Sequence, residues 1–193
     1  MIFKLKYANM EKATRKSEER GYNMDFLKLC EERYSLRKFD GRRLSDSDIN
    51  RILEAARLAP TAKNLQPQKI YVINTDDSVE KLKKCTKCDY GTKTSFLICY
   101  DKNVSWKRDT DGKDSGDIDA SIVTTQMMLE AASAGAGSTW VMWFDAGAVS
   151  REFSLPDNII PVAILVCGYP AADAEPSPRH ADRKQITETV TFI

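Results

Sequence analysis

Arg33, Ser35 and Arg37 occupy alternate positions of the segment Arg33-Tyr34-Ser35-Leu36-Arg37-Lys38-Phe39. On an extended chain that spacing sends all three side chains to one face. Two guanidiniums and a hydroxyl on one face suit a phosphate, because an arginine fork can grip two phosphate oxygens at once. The segment also reads as a solvated basic run, since Lys38, Arg42 and Arg43 lie close by. A second candidate is Ala59-Pro60-Thr61-Ala62-Lys63-Asn64-Leu65-Gln66-Pro67-Gln68. Pro60 and Pro67 stiffen its ends, each fixing its own φ and discouraging helix in the residue before it. Between them, the amides of Asn64 and Gln66 can each donate and accept hydrogen bonds. A stiff loop of this kind suits a flat ligand edged with alternating N–H and C=O groups.

Taken together, the two segments resemble the signatures of the nitroreductase-like FMN-dependent oxidoreductases. The first is similar to an opening Arg-x-Ser-x-Arg-x-aromatic pattern. The second resembles Ala-Pro-Ser-x-x-Asn-x-Gln-Pro-Trp, here Ala59-Pro60-Thr61-x-x-Asn64-x-Gln66-Pro67, and the likeness runs from Met24 to the C-terminus. It implies an α+β fold with a central mixed or antiparallel sheet flanked by helices. It further implies an intertwined homodimer with two flavins at the subunit interface, FMN as cofactor, and NADH or NADPH as reductant. Arg33, Ser35, Arg37 and Arg183 then hold the cofactor from one subunit, with Lys184 a second basic match near the C-terminus. Pro60, Thr61 and Asn64 reach it from the other subunit with Gln66 close by; Tyr34 and Ala62 fall within the same two motifs as cofactor-binding positions. Alignment through Phe144-Asp145 places Trp140, Met142 and Trp143 on a strand beside the flavin ring, the backbone of the last two near its N5/O4 edge.

The implied reaction is hydride transfer through flavin N5 to a nitroaromatic, a quinone or a related small acceptor, in ping-pong order. Arg37 matches the family position beside N1 and O2, where a cation stabilises reduced flavin. No protein acid, base or nucleophile is required, since the cofactor carries the chemistry. Two positions depart from the pattern. Thr61 replaces serine and keeps the hydroxyl; Gln68 replaces tryptophan and alters the wall where substrate contacts start. A non-catalytic flavin-binding or storage protein would keep the same cofactor residues.

Other candidates carry less. Arg179-His180-Ala181-Asp182-Arg183-Lys184 is a basic cluster whose His180 is the chain's one histidine, so no histidine-based triad is supported. Ala134-Gly135-Ala136-Gly137-Ser138 looks like a dinucleotide turn but ends a helix and enters a strand, the reverse of the order required. Cys85-Thr86-Lys87-Cys88 has the spacing of half a zinc site or a redox pair, and no second pair completes it.

The elements that position these residues follow from periodicity. Asp25 caps a short helix carrying Phe26, Leu27 and Cys30. Ser45 and Asp48 form a capping box opening a helix with Ile49, Ile52, Leu53 and Ala56 on one face, and Pro60 ends it. Strands are predicted over Lys69–Asn74, Ser95–Tyr100, Ser138–Trp143 and Val162–Gly168. Helices are predicted over Asp117–Ala134, closed by Gly135, and over Asp145–Phe153. Val190–Ile193 reads as a terminal β-like segment, and Trp106–Gly116 as a mobile polar loop.

At 193 residues the chain can bury a core as one domain over residues 24–193, and its net charge of +1 exerts no global pull on nucleic acid or anionic membrane. No apolar run is long enough for a membrane span, and the five cysteines fit a reduced, cytoplasmic setting. Met10–Asn23 is dense in charge and poor in apolar patterning, which predicts a solvated or disordered arm over residues 1–23, with translation starting naturally at Met24.

Overall fold

A computed structural model describes residues 25–193. The arm and the expected start at Met24 lie outside the described residues. Two units are distinguished, and the described part of the first is Asp25–Glu32 alone. It forms α1 (Phe26–Glu32), opened as expected by Asp25, whose carboxylate accepts the Leu27 N–H at 3.0 Å.

The second unit, Arg33–Ile193, carries a four-stranded antiparallel sheet in the order β1-β2-β4-β3. Its strands are β1 (Gln68–Ile73), β2 (Thr94–Asp101), β3 (Gly137–Val141) and β4 (Ile159–Gly168). The helices are α2 (Asp46–Leu58), α3 (Asp76–Cys85), α4 (Gly116–Ser133), α5 (Ala146–Glu152) and α6 (Ile186–Thr189), with short 3₁₀ turns at Ala62–Asn64 and Pro178–Ala181. The sheet is buried on both faces, so β2 and β4 are nearly continuous apolar runs rather than alternating ones. Phe96, Ile98, Ala163 and Leu165 point toward α2 and α4, where Ile52, Ala56, Val123 and Met127 complete one core. Leu97, Cys99, Ile164 and Val166 point the other way, onto Val79 and Leu82 of α3 and Val149 of α5. The result is three layers, helices on each side of one sheet.

Local chemistry sets the ends of these elements. The Ser45 hydroxyl accepts the Asp48 N–H at 3.1 Å, but only half of the predicted box forms. Asp48 turns its carboxylate to the Ser45 and Tyr169 hydroxyls at 2.8 and 2.6 Å, and the Ser45 N–H donates to Tyr169 Oη instead. An aspartate is one methylene short of the usual glutamate, and a tyrosine from beyond β4 takes the vacant role. The Tyr169 hydroxyl, as the main cause, holds the Asp48 carboxyl below its usual range. Gly135 ends α4 as predicted: at φ +77° it donates to Ala132 O at 3.0 Å while Ala136 N–H reaches Ala131 O at 2.9 Å, the paired bonds of a Schellman motif.

Four expectations change. Helix α3 lies where the sequence reading supplies no element; its signal is the box of Thr75 and Ser78 followed by Val79, Leu82 and Cys85. Strand β3 stops at Val141, so Met142 and Trp143 lie beyond it. Val190–Ile193 is not a strand; it follows the single-turn α6 and is exposed, Phe192 at 93%. The polar segment from Trp106 is a closed turn, bridged at Lys107 and Asp114 and clamped by Arg108 to Asp111. Backbone groups are paired within it: Arg108 N–H donates to Lys113 O and Ser115 N–H to Trp106 O, at 3.0 and 2.9 Å.

Candidate functional site

The extended strap from Arg33 to Phe39 is pinned along the sheet rather than left in solvent. Ser35 bridges Ser138 in parallel, and Leu36 N–H donates to Ser138 O at 3.0 Å. The Thr139 hydroxyl donates to Leu36 O, and at the far end Asp40 N–H donates to Tyr169 O at 3.0 Å. Leu36, 1% exposed, faces inward and so fixes which side chains face out. The close approach needs Gly137, where an added Cβ would fall 2.3 Å from Leu36 Cδ2 and 2.8 Å from its Cβ. Gly137→Ala must push the strap outward, at a cost of roughly 1–3 kcal/mol. A fall in melting temperature together with a lower flavin content after dialysis is the expected result, read by calorimetry and absorbance.

Outward from the strap, Arg33, Tyr34, Ser35 and Arg37 line a cavity of 290 Å³ whose other wall is Ser177, Arg179, His180 and Arg183. The second wall is built by the 3₁₀ turn at Pro178–Ala181, opened by the Ser177 hydroxyl accepting the Arg179 N–H at 3.4 Å. The Tyr34 and His180 rings meet edge-on with centroids 6.1 Å apart. Arg183 curls back to donate to the carbonyls of His180 and Asp182, and Arg37 donates to Ser35 O at 3.2 Å. Arg33 reaches the Met128 sulfur at 3.9 Å.

Charge separates this cavity from an ordinary basic surface. Lys38, Arg42 and Arg43 are each paired, with Asp173, Asp40 and Asp76. Among the described residues Arg33, Arg37, Arg179 and Arg183 form no salt bridge, and no carboxylate lines the cavity. The basic residues of the strap and its flank thus divide into ones paired with a carboxylate and ones without such a partner among the described residues. A donor-rich pocket of four arginines and three hydroxyls, those of Tyr34, Ser35 and Ser177, fits a phosphate monoester, the charged end of FMN.

The structure brings together Arg33, Tyr34, Ser35, Arg37 and Arg183 from the predicted set, and adds Arg179, His180 and Ser177. Lys184 is exposed and outside the lining. Pro60, Thr61, Ala62, Asn64 and Gln66 are not in this cavity. Their loop is nonetheless built to one shape. Lys63, Asn64 and Gln66 all hold positive φ, of 49°, 56° and 52°. Such conformations are costly for residues other than glycine and persist only where surroundings enforce them. The Thr61 hydroxyl accepts the Gln66 N–H at 3.0 Å, and the buried Asp119 of α4 accepts the Ala62 N–H at 2.8 Å. The other Asp119 oxygen takes the Ser115 hydroxyl at 2.7 Å. Asp119 is the residue that sequence reading missed; its one signal is a carboxylate at a position of α4 otherwise fit for the core. The loop is tied to α4 at residue 119 and Arg33 to the same helix at residue 128. Nine residues of helix place these two points about 14 Å apart along its axis.

Trp140 is half-buried against the first core, whereas Met142 and Trp143 are 66% and 84% exposed beyond the end of β3. Gln68 pairs with Tyr100 on β1, and its Oε1 is buried without a hydrogen-bond partner. The cysteines do not form a reactive pair. Cys85 is buried, its thiol contacts Lys81 O at 3.3 Å, and burial, reinforced by Glu152 and Asp145, pushes its pKa up. A thiol held protonated is a poor nucleophile and metal ligand. No group of His, Cys, Asp and Glu among the described residues could hold a metal ion.

Comparison with known proteins agrees with this geometry. The family described as the nitroreductase family matches residues 30–90 and 83–169. A solved nitroreductase family protein from Clostridium difficile is 39% identical, superposes with a TM-score of 0.83, and covers 88% of this chain and 98% of its own. A protein from Exiguobacterium sibiricum solved in complex with FMN shares the fold, at 21% identity and a TM-score of 0.76 over 89% of this chain and 99% of its own. An NADPH-dependent oxidoreductase of Staphylococcus haemolyticus is 24% identical, over 78% of this chain and 67% of its own. With the strap, the arginine cavity and the three-layer fold in place, the chain belongs to the nitroreductase family.

Proposed function

We propose that this protein is an FMN-dependent NAD(P)H oxidoreductase that reduces a small acceptor such as a nitroaromatic or a quinone. The observation that carries this reading is the cavity of four arginines that, among the described residues, have no salt bridge and no carboxylate on their wall. When bound, FMN supplies the acceptance of hydride from NADH or NADPH and its delivery to the acceptor. Arg33, Ser35 and Arg183 hold the phosphate, and the Arg37 charge serves to stabilise the reduced cofactor. Tyr34 and His180 close the cavity from its two walls. Trp140 and the backbone groups of Met142 and Trp143 serve the flavin ring, with Lys184 a peripheral cation.

The second half of the site comes from a second copy of the chain. Its loop of Pro60, Thr61, Ala62, Asn64 and Gln66 is rigid, lies outside the arginine cavity, and is preformed for contact with a flat ligand. The exposed apolar residues Ile118 and Ile122 on α4 and Ile186, Val190, Phe192 and Ile193 at the C-terminus support an interface between copies. The proposed flavin-binding domain comprises residues 24–193. Five free thiols favour a reducing, cytoplasmic location. No helix among the described residues is long and apolar enough to cross a membrane.

Two measurements test the function together. Purified protein is expected to show flavin absorbance and, loaded with FMN, to oxidise NADH or NADPH only as a nitro or quinone acceptor is consumed. A protein that retains no FMN, or FMN-loaded protein without turnover, would overturn the proposal.

A further inference from the structure

A second basic cavity, of 490 Å³, lies where α3 ends and β3 has just finished. Lys83, Lys84 and Lys87 line one side, and Trp143 and Phe144 the other. Its walls are locked to each other. The Thr86 hydroxyl donates to Trp143 O at 2.6 Å and accepts the Cys88 N–H at 3.0 Å, while Asp145 N–H donates to Cys85 O at 2.9 Å. The Trp143 indole, 84% exposed, is therefore held on a fixed backbone.

Among the described residues three lysines and one aspartate line the cavity, with Glu80 and Glu152 beside two of the lysines. Lys83 pairs with Glu80 at 2.6 Å and Lys84 with Glu152 at 3.0 Å, through side chains largely open to water. Such surface pairs hold weakly and yield readily to a doubly charged ligand. Lys87 forms no salt bridge among the described residues. The one carboxylate on the wall, Asp145, is turned into α5, where it caps the helix by accepting the Ala148 N–H at 2.9 Å. An exposed indole beside ammonium groups presents a stacking surface next to an anion site. That combination suits a planar base carrying phosphate.

Strand β3 sets the relation between the two basic cavities. Ser138, at its start, bridges the Arg33–Phe39 strap, and Trp143 follows its end. Five extended residues span about 17 Å, so the two sites sit at opposite ends of one strand. One strand thus joins two separate basic cavities, and one flavin phosphate needs only the first.

We propose that the Lys84–Lys87–Trp143 cavity receives the phosphorylated adenosine half of the nicotinamide dinucleotide. This rests on the oxidoreductase reading above, yet binding can be measured without turnover. FMN-loaded protein is titrated calorimetrically with 2′,5′-ADP, 5′-AMP and inorganic phosphate, and again as the Lys84→Glu/Lys87→Glu and Lys87→Arg variants. Saturable binding of 2′,5′-ADP is expected, weakened at least tenfold by the two glutamates, retained by Lys87→Arg, with FMN content unchanged throughout. Tighter binding of 2′,5′-ADP than of 5′-AMP assigns the lysines to the 2′-phosphate of NADPH. Equal binding assigns them to the phosphate common to both dinucleotides. No saturable nucleotide binding, affinity unaltered by the glutamates, or phosphate binding as well as the nucleotides would overturn the site. Loss of dinucleotide oxidation with nucleotide binding intact would instead count against the oxidoreductase reading alone.

Discussion

Arg33→Ala and Arg183→Ala are each expected to lower FMN affinity by roughly 10- to 150-fold, and the pair together to leave protein purified nearly colourless. Each arginine supplies a charge-assisted contact worth roughly 1.5–3 kcal/mol, with each 1.4 kcal/mol equal to about a tenfold change. The two residues enter the cavity from separate walls, Arg33 from the strap and Arg183 from beyond the 3₁₀ turn. Neither is bound to a carboxylate among the described residues, so truncation strands no described partner charge, and folding should be little affected. Flavin absorbance after dialysis and a fluorescence titration of FMN give the readout. Unchanged occupancy in both variants would show that the phosphate is held elsewhere.

Asp119→Ala should act differently, through stability and loop order. Asp119 is 2% exposed and joins the Ala62 N–H to the Ser115 hydroxyl. Removing its carboxylate leaves two donors without acceptors and frees a loop with three positive-φ residues. At roughly 1.5–3 kcal/mol for each hydrogen bond to a charged group, the loss is about 3–6 kcal/mol. For a chain of this size each kcal/mol lowers the melting temperature by roughly 2–4 °C, so a drop of at least 6 °C is expected. Asp119→Asn keeps an acceptor for Ala62 and should recover much of it. Thermal unfolding read beside FMN affinity makes the test: a melting temperature unmoved in Asp119→Ala would remove this residue from the support of the loop.

The strap and the loop were legible because each is a short run of specific side chains with its own local spacing. Ser45, Gly135 and Asp145 announced helix ends for the same reason, since a cap satisfies backbone groups within a few residues of itself. The box at Thr75 and Ser78 is equally local, yet its serine in place of glutamate and its lysine-rich helix hid α3. Asp48 shows where such reading stops. Its sequence position forecasts a box, but Tyr169, 121 residues away, takes its carboxylate. The end of β3 at Val141 was also out of reach, because Trp143 and Met142 suit a strand as well as they suit an exposed turn.

By itself, the sequence determined which residues could bind a phosphate, which loop was stiff, and where most helices and strands lie. These are properties of neighbouring residues and of periods of two and 3.6. Only the tertiary structure decided which basic residues remained available. Lys38, Arg42 and Arg43 look no different in sequence from Arg33, Arg37 and Arg183, and the acids that occupy them come from separate elements. It likewise decided that Asp119 holds the loop and that lysines of α3 meet Trp143 beyond β3. Contacts between residues distant in the chain depend on how layers pack, and no local spacing encodes that.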